Sequence, residues 1–328
     1  MSAETAPLPR RRSPFPKSRR MRGQALSLLL DRAAARWLLT AFALLLLLGA
    51  GIPAWHHLYP ASASEGWRYK LFLDDIERVS ALLPDGRGGL YISQELQDGK
   101  GRILHAGPGD RRHAVESGLS KPDGMVRYRG GVAFSQEQGE HPVLWMNDLG
   151  TRQLFSADSV EGLASDGHFL YAIEDRHGDG RLLRYDPETD SITTLRSGLD
   201  EAEAIASCPD GRMYYSEKTF GHVRELHADG RDPVVLDGLR EPGFLLCNQD
   251  GLWVTEDATH MARVLLLSPQ GRLSTVLSHL RSPQTIVEIS PGRYLVAEQG
   301  RNRVLELQDE RISSAASGLR VDSAGAGR

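Results

Sequence analysis

Tyr214-Tyr215-Ser216-Glu217 ends a short apolar segment, and five other segments of the chain end in the same way. Each is a strand-like run that closes on a glutamate or on its amide. The six closing residues are Gln94, Gln136, Glu174, Glu217, Glu256 and Glu298. Successive members are 42, 38, 43, 39 and 42 residues apart. A period of about forty residues with strand-like content is typical of a β-propeller, with one blade per repeat.

Each repeat carries signals for four strands. In the fourth repeat, apolar runs alternate with the turns Pro209-Asp210-Gly211 and Ala228-Asp229-Gly230. One such sheet cannot bury both of its faces, whereas six sheets in a ring bury one another and leave few free edges. The sequence therefore predicts an all-β, six-bladed β-propeller with four antiparallel strands per blade. Two segments can complete the last blade: Trp67–Phe72, which we favour, and Arg311–Ala316.

Trp37–Trp55 is a run of nineteen residues without a charged side chain. A helix of about 20 apolar residues spans the bilayer core, and Trp at each end suits the two interfaces. The Arg-rich flank before this run predicts a cytoplasmic N-terminus. We therefore expect one transmembrane helix, in the inner membrane, with a periplasmic propeller. The alternative is a protein secreted after cleavage near Ala63, because Ala61-Ser62-Ala63 has the form that signal peptidases cut.

The charge is distributed unevenly along the chain. Residues 1–36 hold nine of the 39 Lys and Arg residues but only two of the 43 acids, so the remainder is acidic. An acidic body argues against nucleic acid as a partner, because phosphates are bound by Lys and Arg. Composition predicts five segments. They are a disordered basic cytoplasmic arm (1–21), a juxtamembrane and transmembrane helix (22–58), a linker (59–66), the propeller (67–319) and a disordered tail (320–328).

Cys208 and Cys247 occupy equivalent places in neighbouring repeats, each nine residues before its glutamate. An oxidising compartment permits a disulfide. A disulfide needs Cα atoms about 4.4–6.8 Å apart, and we expect the inner strands of neighbouring blades to diverge by more than that. The sequence therefore favours two buried free thiols.

The repeat resembles a known family at the level of its motifs. The order Gly118-Leu119-x-x-Pro122-x-Gly124, then Pro-Asp-Gly, then Tyr-x-x-acid is similar to NHL-type repeats. It also resembles the senescence-marker-protein/gluconolactonase superfamily of six-bladed propellers, over all six repeats. That resemblance implies a divalent metal at the top of the channel, held by Glu, Asn and Asp at the starts of inner strands.

Three of the six positions that correspond to the family's ligands carry acids. Asp123 fits the aspartate ligand, and the following repeats place Glu161 and Glu203 there. The remaining repeats have Pro242, Gln284 and Arg78 at these positions, and the asparagines of the family are absent. The resemblance therefore implies Asp123, Glu161 and Glu203 as metal ligands, with Glu203 and Asp123 as candidate catalytic residues.

A rim of further polar residues is expected around these acids. The second strand returns to the face where the inner strand begins, so its closing residue and the next loop share that face. Mostly oxygen ligands favour hard ions among Ca²⁺, Mg²⁺, Mn²⁺ and Zn²⁺. The repeated acids have a second interpretation, because a residue that recurs in every blade is suited to fastening the blade by accepting backbone N–H groups. The candidate rim residues are Glu174, Glu217, Glu256, His177, His222, His260 and Gln284.

Two functions remain open from the sequence. The first is a membrane-anchored periplasmic propeller that binds a divalent cation and hydrolyses a lactone or ester, with a small molecule as its partner. The second is a non-catalytic ligand-binding or protein-interaction scaffold in an envelope complex. Carboxylates that converge on one point favour the first function, and acids engaged by neighbouring backbone favour the second.

Overall fold

The structure, a computed structural model, describes residues 18–312, with side chains for residues 34–55 and 58–312. The chain divides into two compact units between Tyr59 and Pro60. The predicted arm up to residue 17 and the predicted tail lie outside the described residues. One long helix, α1 (Ser18–Leu58), makes up the described part of the first unit. Within it, the 22-residue segment Ala34–Trp55 has a mean hydropathy of 2.1. This segment is long and apolar enough to cross a membrane.

The second unit is a six-bladed propeller of antiparallel strands, as the repeat predicts. Blades one to three each consist of four consecutive strands. Blade one is β3 (Val79–Pro84), β4 (Leu90–Gln94), β5 (Gly101–Gly107) and β6 (Arg111–Leu119). Blade two is β7 (Met125–Tyr128), β8 (Gly131–Phe134), β9 (Glu140–Asn147) and β10 (Gly150–Asp158). Blade three is β11 (Val160–Ser165), β12 (Leu170–Glu174), β13 (Gly180–Asp186) and β14 (Ser191–Leu199).

Blades four to six follow the same order, and the last borrows a strand from the start of the unit. Blade four is β15 (Ala202–Ser207), β16 (Met213–Glu217), β17 (His222–Glu225) and β18 (Val234–Leu236). Blade five is β19 (Pro242–Asn248), β20 (Gly251–Glu256), β21 (Ala262–Leu267) and β22 (Leu273–Leu280). Blade six is β23 (Pro283–Ser290), β24 (Arg293–Glu298) and β25 (Arg303–Asp309), with a short 3₁₀ turn at Gln299–Arg301.

The ring closes through the N-terminal strand that we favoured. β2 (Trp67–Leu73) pairs antiparallel with β25, so it is the outer strand of blade six. Just before it, β1 (Ser62–Ala63), inside the predicted linker, adds a fifth strand to blade five by pairing with β22. Residues 61–73 therefore join blades five and six, and we call this segment the latch.

The latch is packed as well as hydrogen-bonded. Ala61 is buried in the apolar cluster around Trp253 and Tyr294. The Tyr69 hydroxyl donates to the Ala61 carbonyl at 2.8 Å. The Trp67 ring packs edge-on against Trp253, with centroids 5.5 Å apart.

Inner strands of neighbouring blades approach one another closely around the axis. A Cβ on Gly124 would overlap the Glu161 backbone oxygen, and one on Gly162 would lie 2.6 Å from the Glu203 backbone oxygen. This closeness makes the thiol prediction wrong. Cys208 and Cys247 form a disulfide, with Cα atoms 4.9 Å apart.

Candidate functional site

The candidate site lies where each inner strand begins beside the end of its second strand. Val160 pairs with Glu174, Ala202 with Glu217 and Pro242 with Glu256. The residue after each of these, and its equivalents in the other blades, belongs to what we call the inner ring; in blade two that equivalent is Asp123, which lies two residues before β7. Its members are Ser80, Asp123, Glu161, Glu203, Gly243 and Gln284. Four of these match the sequence alignment, whereas Ser80 and Gly243 stand where Arg78 and Pro242 were expected. The register explains the shift, because Val79 and Pro242 are the residues that pair with the second strand.

A hydroxyl just before the repeated acid links inner strands of neighbouring blades. The Ser216 hydroxyl accepts the Ala204 N–H at 3.1 Å and donates to the Gly243 carbonyl of the next blade at 2.9 Å. Ser135 does the same between Gly124 and Glu161. These serines hold the inner ring in place, a role that the repeat pattern alone does not predict.

The repeated acids tie each blade to the end of the preceding blade or to the segment that connects the two. Glu174 accepts the Asp158 N–H at 3.0 Å, and Glu256 accepts the Arg240 N–H at 2.9 Å. Glu217 lies 3.0 Å from the Arg224 guanidinium. Three further acids or amides make the same kind of contact, which supports the fastening interpretation of Glu174, Glu217 and Glu256. The Gln94 side-chain amide donates to the Glu77 carbonyl. Gln136 accepts the Ser120 N–H, and Glu298 accepts the Arg281 N–H.

The three rim histidines do not share a site. His177 is mostly exposed, with Nδ1 2.9 Å from the Asp200 carboxylate. His222 is buried, with Nε2 2.8 Å from the Glu217 carboxylate. The His260 backbone carbonyl accepts a bond from Arg240 at 3.2 Å. Each contacts a different group, and none of the three belongs to a group of metal-binding side chains found among the described residues.

The residue that follows each repeated acid forms a second ring at the mouth of the channel, which we call the outer ring. Three of its members, Asp175, Lys218 and Asp257, directly follow the candidate rim residues Glu174, Glu217 and Glu256, but the ring itself is not among the predictions from the sequence. A signal was available, since this position is polar in all six repeats. The outer ring is Glu95, Glu137, Asp175, Lys218, Asp257 and Gln299.

Acids from the two rings form two clusters that share Glu137. One carboxylate oxygen each from Glu95, Asp123 and Glu137 lies within 4.8 Å of the others. The same holds for Glu137, Glu161 and Asp175. Asp123, Glu161 and Glu203 are thus divided, with Asp123 in one cluster, Glu161 in the other and Glu203 in neither.

Two lysines compensate part of this charge. Lys218 Nζ lies 2.9 Å from Glu203 and 2.9 Å from Asp257. Lys121 Nζ contacts Glu137 and lies 3.3 Å from Glu95. Gln284 donates to Asp257 at 2.6 Å. The Arg78 guanidinium also lies 3.1 Å from Glu95, so seven carboxyl groups of the two rings meet three cationic groups and acids remain in excess.

Burial and mutual repulsion shift the proton affinities of these acids. Burial, followed by the charges of Glu95 and Glu137, raises the pKa of Asp123 well above its usual value. Burial, followed by Glu203, does the same to the pKa of Glu161. Burial raises the pKa of Glu203 to about 7, although Glu161 and Lys218 act in the opposite direction. The folded mouth therefore holds protons at a pH where isolated carboxyl groups have lost them.

The donor set fits a hard divalent cation. Both clusters offer only carboxylate oxygens, the ligands that Ca²⁺ and Mg²⁺ prefer. Asp175 Oδ1 is buried and has no hydrogen-bond partner among the described residues. Such an orphan buried oxygen is costly unless water or an ion completes it.

Comparison with known proteins gives two groups of relatives. No protein-family model matches the chain. The adipocyte plasma membrane-associated proteins of Salmo salar and Danio rerio are each 26% identical, over 183 and 170 residues. These alignments cover 51% and 47% of this chain, and 44% and 40% of the relatives. The chain thus spans less than half the length of the curated relatives it matches.

Solved structures match the propeller more completely but at low identity. A putative gluconolactonase superposes with a TM-score of 0.61 at 13% identity, covering 78% of this chain and 95% of that one. A gluconolactonase from Xanthomonas campestris gives 0.63 at 14%, covering 76% and 95%. A chain of a nidogen/laminin complex gives 0.52 at 14%, covering 65% and 91%. The chain is therefore a six-bladed β-propeller with the fold of the gluconolactonase-like proteins that its repeat resembles.

Proposed function

We propose that the propeller binds a divalent cation at its mouth and hydrolyses a lactone or ester there. The observation that carries the proposal is the pair of acidic clusters that share Glu137. One similar structure is described as a gluconolactonase and another as a putative gluconolactonase, and this activity is consistent with the acidic mouth. Glu95, Asp123 and Glu137 are the candidate ligands on one side, and Glu161 and Asp175 extend the set on the other.

The proposed reaction adds water across an acyl C–O bond. The water oxygen bonds to the carbonyl carbon while a base takes a proton from that water. The ring or alkoxy oxygen then leaves and takes up a proton, which gives the free acid and the alcohol. A bound divalent ion would polarise the carbonyl.

Glu203 is the better candidate for the base. Glu203 belongs to neither ligand cluster, so its carboxylate is not needed to hold the cation. It lies beside Glu161 and contacts Lys218, which places it next to the clusters. Its pKa of about 7 suits a base that operates near neutrality. Asp123 is buried and its pKa lies well above the usual value, so it suits the role of a ligand or proton donor better than that of a base.

Cation binding is tested on the detergent-solubilised full chain by calorimetry with Ca²⁺, Mg²⁺, Mn²⁺ and Zn²⁺. We expect Glu137→Gln to weaken binding at least tenfold, because both clusters lose a ligand. Glu188→Gln, on the exposed turn between β13 and β14, is the matched control. Lactone hydrolysis is then measured with and without the ion that binds. Absence of binding for every ion, or full activity of Asp123→Ala, would refute the proposal.

We further propose that α1 anchors the propeller to the inner membrane with the propeller on the periplasmic side. The disulfide between Cys208 and Cys247 supports an oxidising compartment. The latch supports an uncleaved anchor, because cleavage after Ala63 would remove Ala61 and β1 from the packed structure. Labelling of single external cysteines in whole cells and spheroplasts tests this topology.

A non-catalytic scaffold is the second candidate, and the lysines favour it. Lys121 and Lys218 each lie between two carboxylates. They neutralise part of the negative charge of the mouth without a metal ion. One similar structure belongs to a nidogen/laminin complex, so this fold serves protein assembly in that case. Crosslinking in membranes followed by identification of envelope partners tests this function. A protein that purifies alone and turns over a lactone would exclude it.

A further inference from the structure

An apolar channel runs along the propeller axis below the mouth. It has a volume of about 210 Å³ and is bordered by residues of all six inner strands. Large aliphatic and aromatic side chains form most of its wall. Among them are Leu83, Met125, Val126, Leu245, Phe244 and Val287.

The polar groups of the channel are few. Ser165, Ser207 and Thr285 are the hydroxyl residues that border it. Ser165 is already bonded, since its hydroxyl donates to the Phe169 carbonyl at 3.1 Å. Thr285 Oγ1 is buried and finds no hydrogen-bond partner in the described part of the chain. The channel wall thus offers few side-chain hydroxyl groups, and each ligand hydroxyl that is buried there without a partner would be penalised.

The channel adjoins the inner ring. Gly124 follows Asp123, Gly162 follows Glu161, and Thr285 follows Gln284, and the second residue of each pair borders the channel. A ligand whose carbonyl is held at the inner ring would therefore have its substituent beside apolar walls. Dry apolar cavities of about 150 Å³ bind molecules the size of benzene, so this channel has room for a short alkyl chain.

We propose that the axial channel is an alkyl-binding site, which makes the substrates lactones or esters with a short aliphatic chain rather than polyhydroxylated sugar lactones. The substrate statement rests on the proposed hydrolysis at the mouth, whereas the alkyl site itself does not. Burial of each added methylene raises kcat/KM by about fourfold until the channel is full. Sugar lactones lose this gain, since the channel wall offers few side-chain hydroxyl groups to pair with theirs.

The test uses the full chain in a non-ionic detergent, with two readouts. The first is calorimetric binding of 1-hexanol. The second is kcat/KM for δ-lactones with side chains from methyl to heptyl, compared with δ-gluconolactone. Val287→Phe fills the channel, and Val287→Leu fills it less and guards against misfolding. Val234→Phe adds the same bulk to the exposed strand β18 and is the matched control.

We expect hexanol to bind the parent chain and Val234→Phe, and to bind Val287→Phe at least tenfold more weakly. We also expect kcat/KM to rise with chain length in the parent and to lose that rise in Val287→Phe. Hexanol binding without hydrolysis of any lactone would support the alkyl site and refute the proposed reaction instead. Absence of hexanol binding, or a preference for δ-gluconolactone that Val287→Phe leaves unchanged, would overturn the inference.

Discussion

Lys218 Nζ lies 2.9 Å from Glu203 Oε1, so the candidate base is held by an ion pair inside the mouth. The same ammonium group lies 2.9 Å from Asp257. Burial opposes its charge, but these carboxylates raise the pKa of Lys218 above its usual value. The lysine therefore stays charged. Its positive charge neutralises part of the negative charge of the mouth, and the rest is available to a bound cation.

Replacement of Lys218 should destabilise the protein by removing this positive charge. Lys218→Gln leaves two largely buried carboxyl groups without their cation, so we expect a loss of about 3 kcal/mol in the free energy of unfolding. Urea unfolding measures the loss. Calcium should restore part of it, since an ion can replace the lost charge. No recovery with any divalent ion would contradict a cation site at this mouth.

The stability of the metal-free protein should fall as pH rises. Glu203 keeps its proton up to about pH 7 in the folded state, whereas its usual pKa is 4.5. Between these values the folded state binds more protons than the unfolded state, so the free energy of unfolding decreases with increasing pH. Chelator-treated protein should therefore melt at a lower temperature at pH 8 than at pH 5.

Calcium should reverse part of that pH effect. A cation binds the ionised clusters better than the protonated ones, so the rise in melting temperature should be larger at pH 8 than at pH 5. Melting curves at both pH values, with calcium and with chelator, provide the comparison. An equal rise at the two pH values would show that calcium acts away from these acids.

The disulfide should stabilise the propeller without shaping the mouth. It closes a loop of 39 residues, for which the chain-entropy model gives about 3–4 kcal/mol. Replacement of both Cys208 and Cys247 by serine should lower the free energy of unfolding by that order. Cation affinity should stay within twofold of the parent value, because both sulfurs lie nine residues before the repeated acids. A large change in affinity would show that the two ends of the inner strands are coupled.

The latch should be needed for full stability. A chain that begins at residue 64, as cleavage after Ala63 would leave it, loses β1 and the buried Ala61. Those residues supply two strand pairings and the acceptor for the Tyr69 hydroxyl. We expect a loss of about 2 kcal/mol relative to a chain that begins at residue 59. Equal urea midpoints for the two chains would remove the structural argument for an uncleaved anchor.

The sequence by itself determined the architecture, because a repeat acts through local signals. The signals are the repeat period from Gln94 to Glu298, the turn residues and the alternation of apolar residues. Each of them can be recognised from short segments of sequence. Trp67–Phe72 was recognised as the closing strand for the same reason, since it matches the outer-strand position. The fastening interpretation of Glu174 could also be reached, because a residue that recurs in every blade has a role common to every blade.

Only the tertiary structure decided what meets at the axis. Distances between blades depend on how tightly the inner strands converge, and no local pattern encodes that closeness. The bond between Cys208 and Cys247 and the sharing of Glu137 by two clusters both follow from it. The mouth is built from residues about forty positions apart, and each becomes a neighbour of the next only when the ring closes.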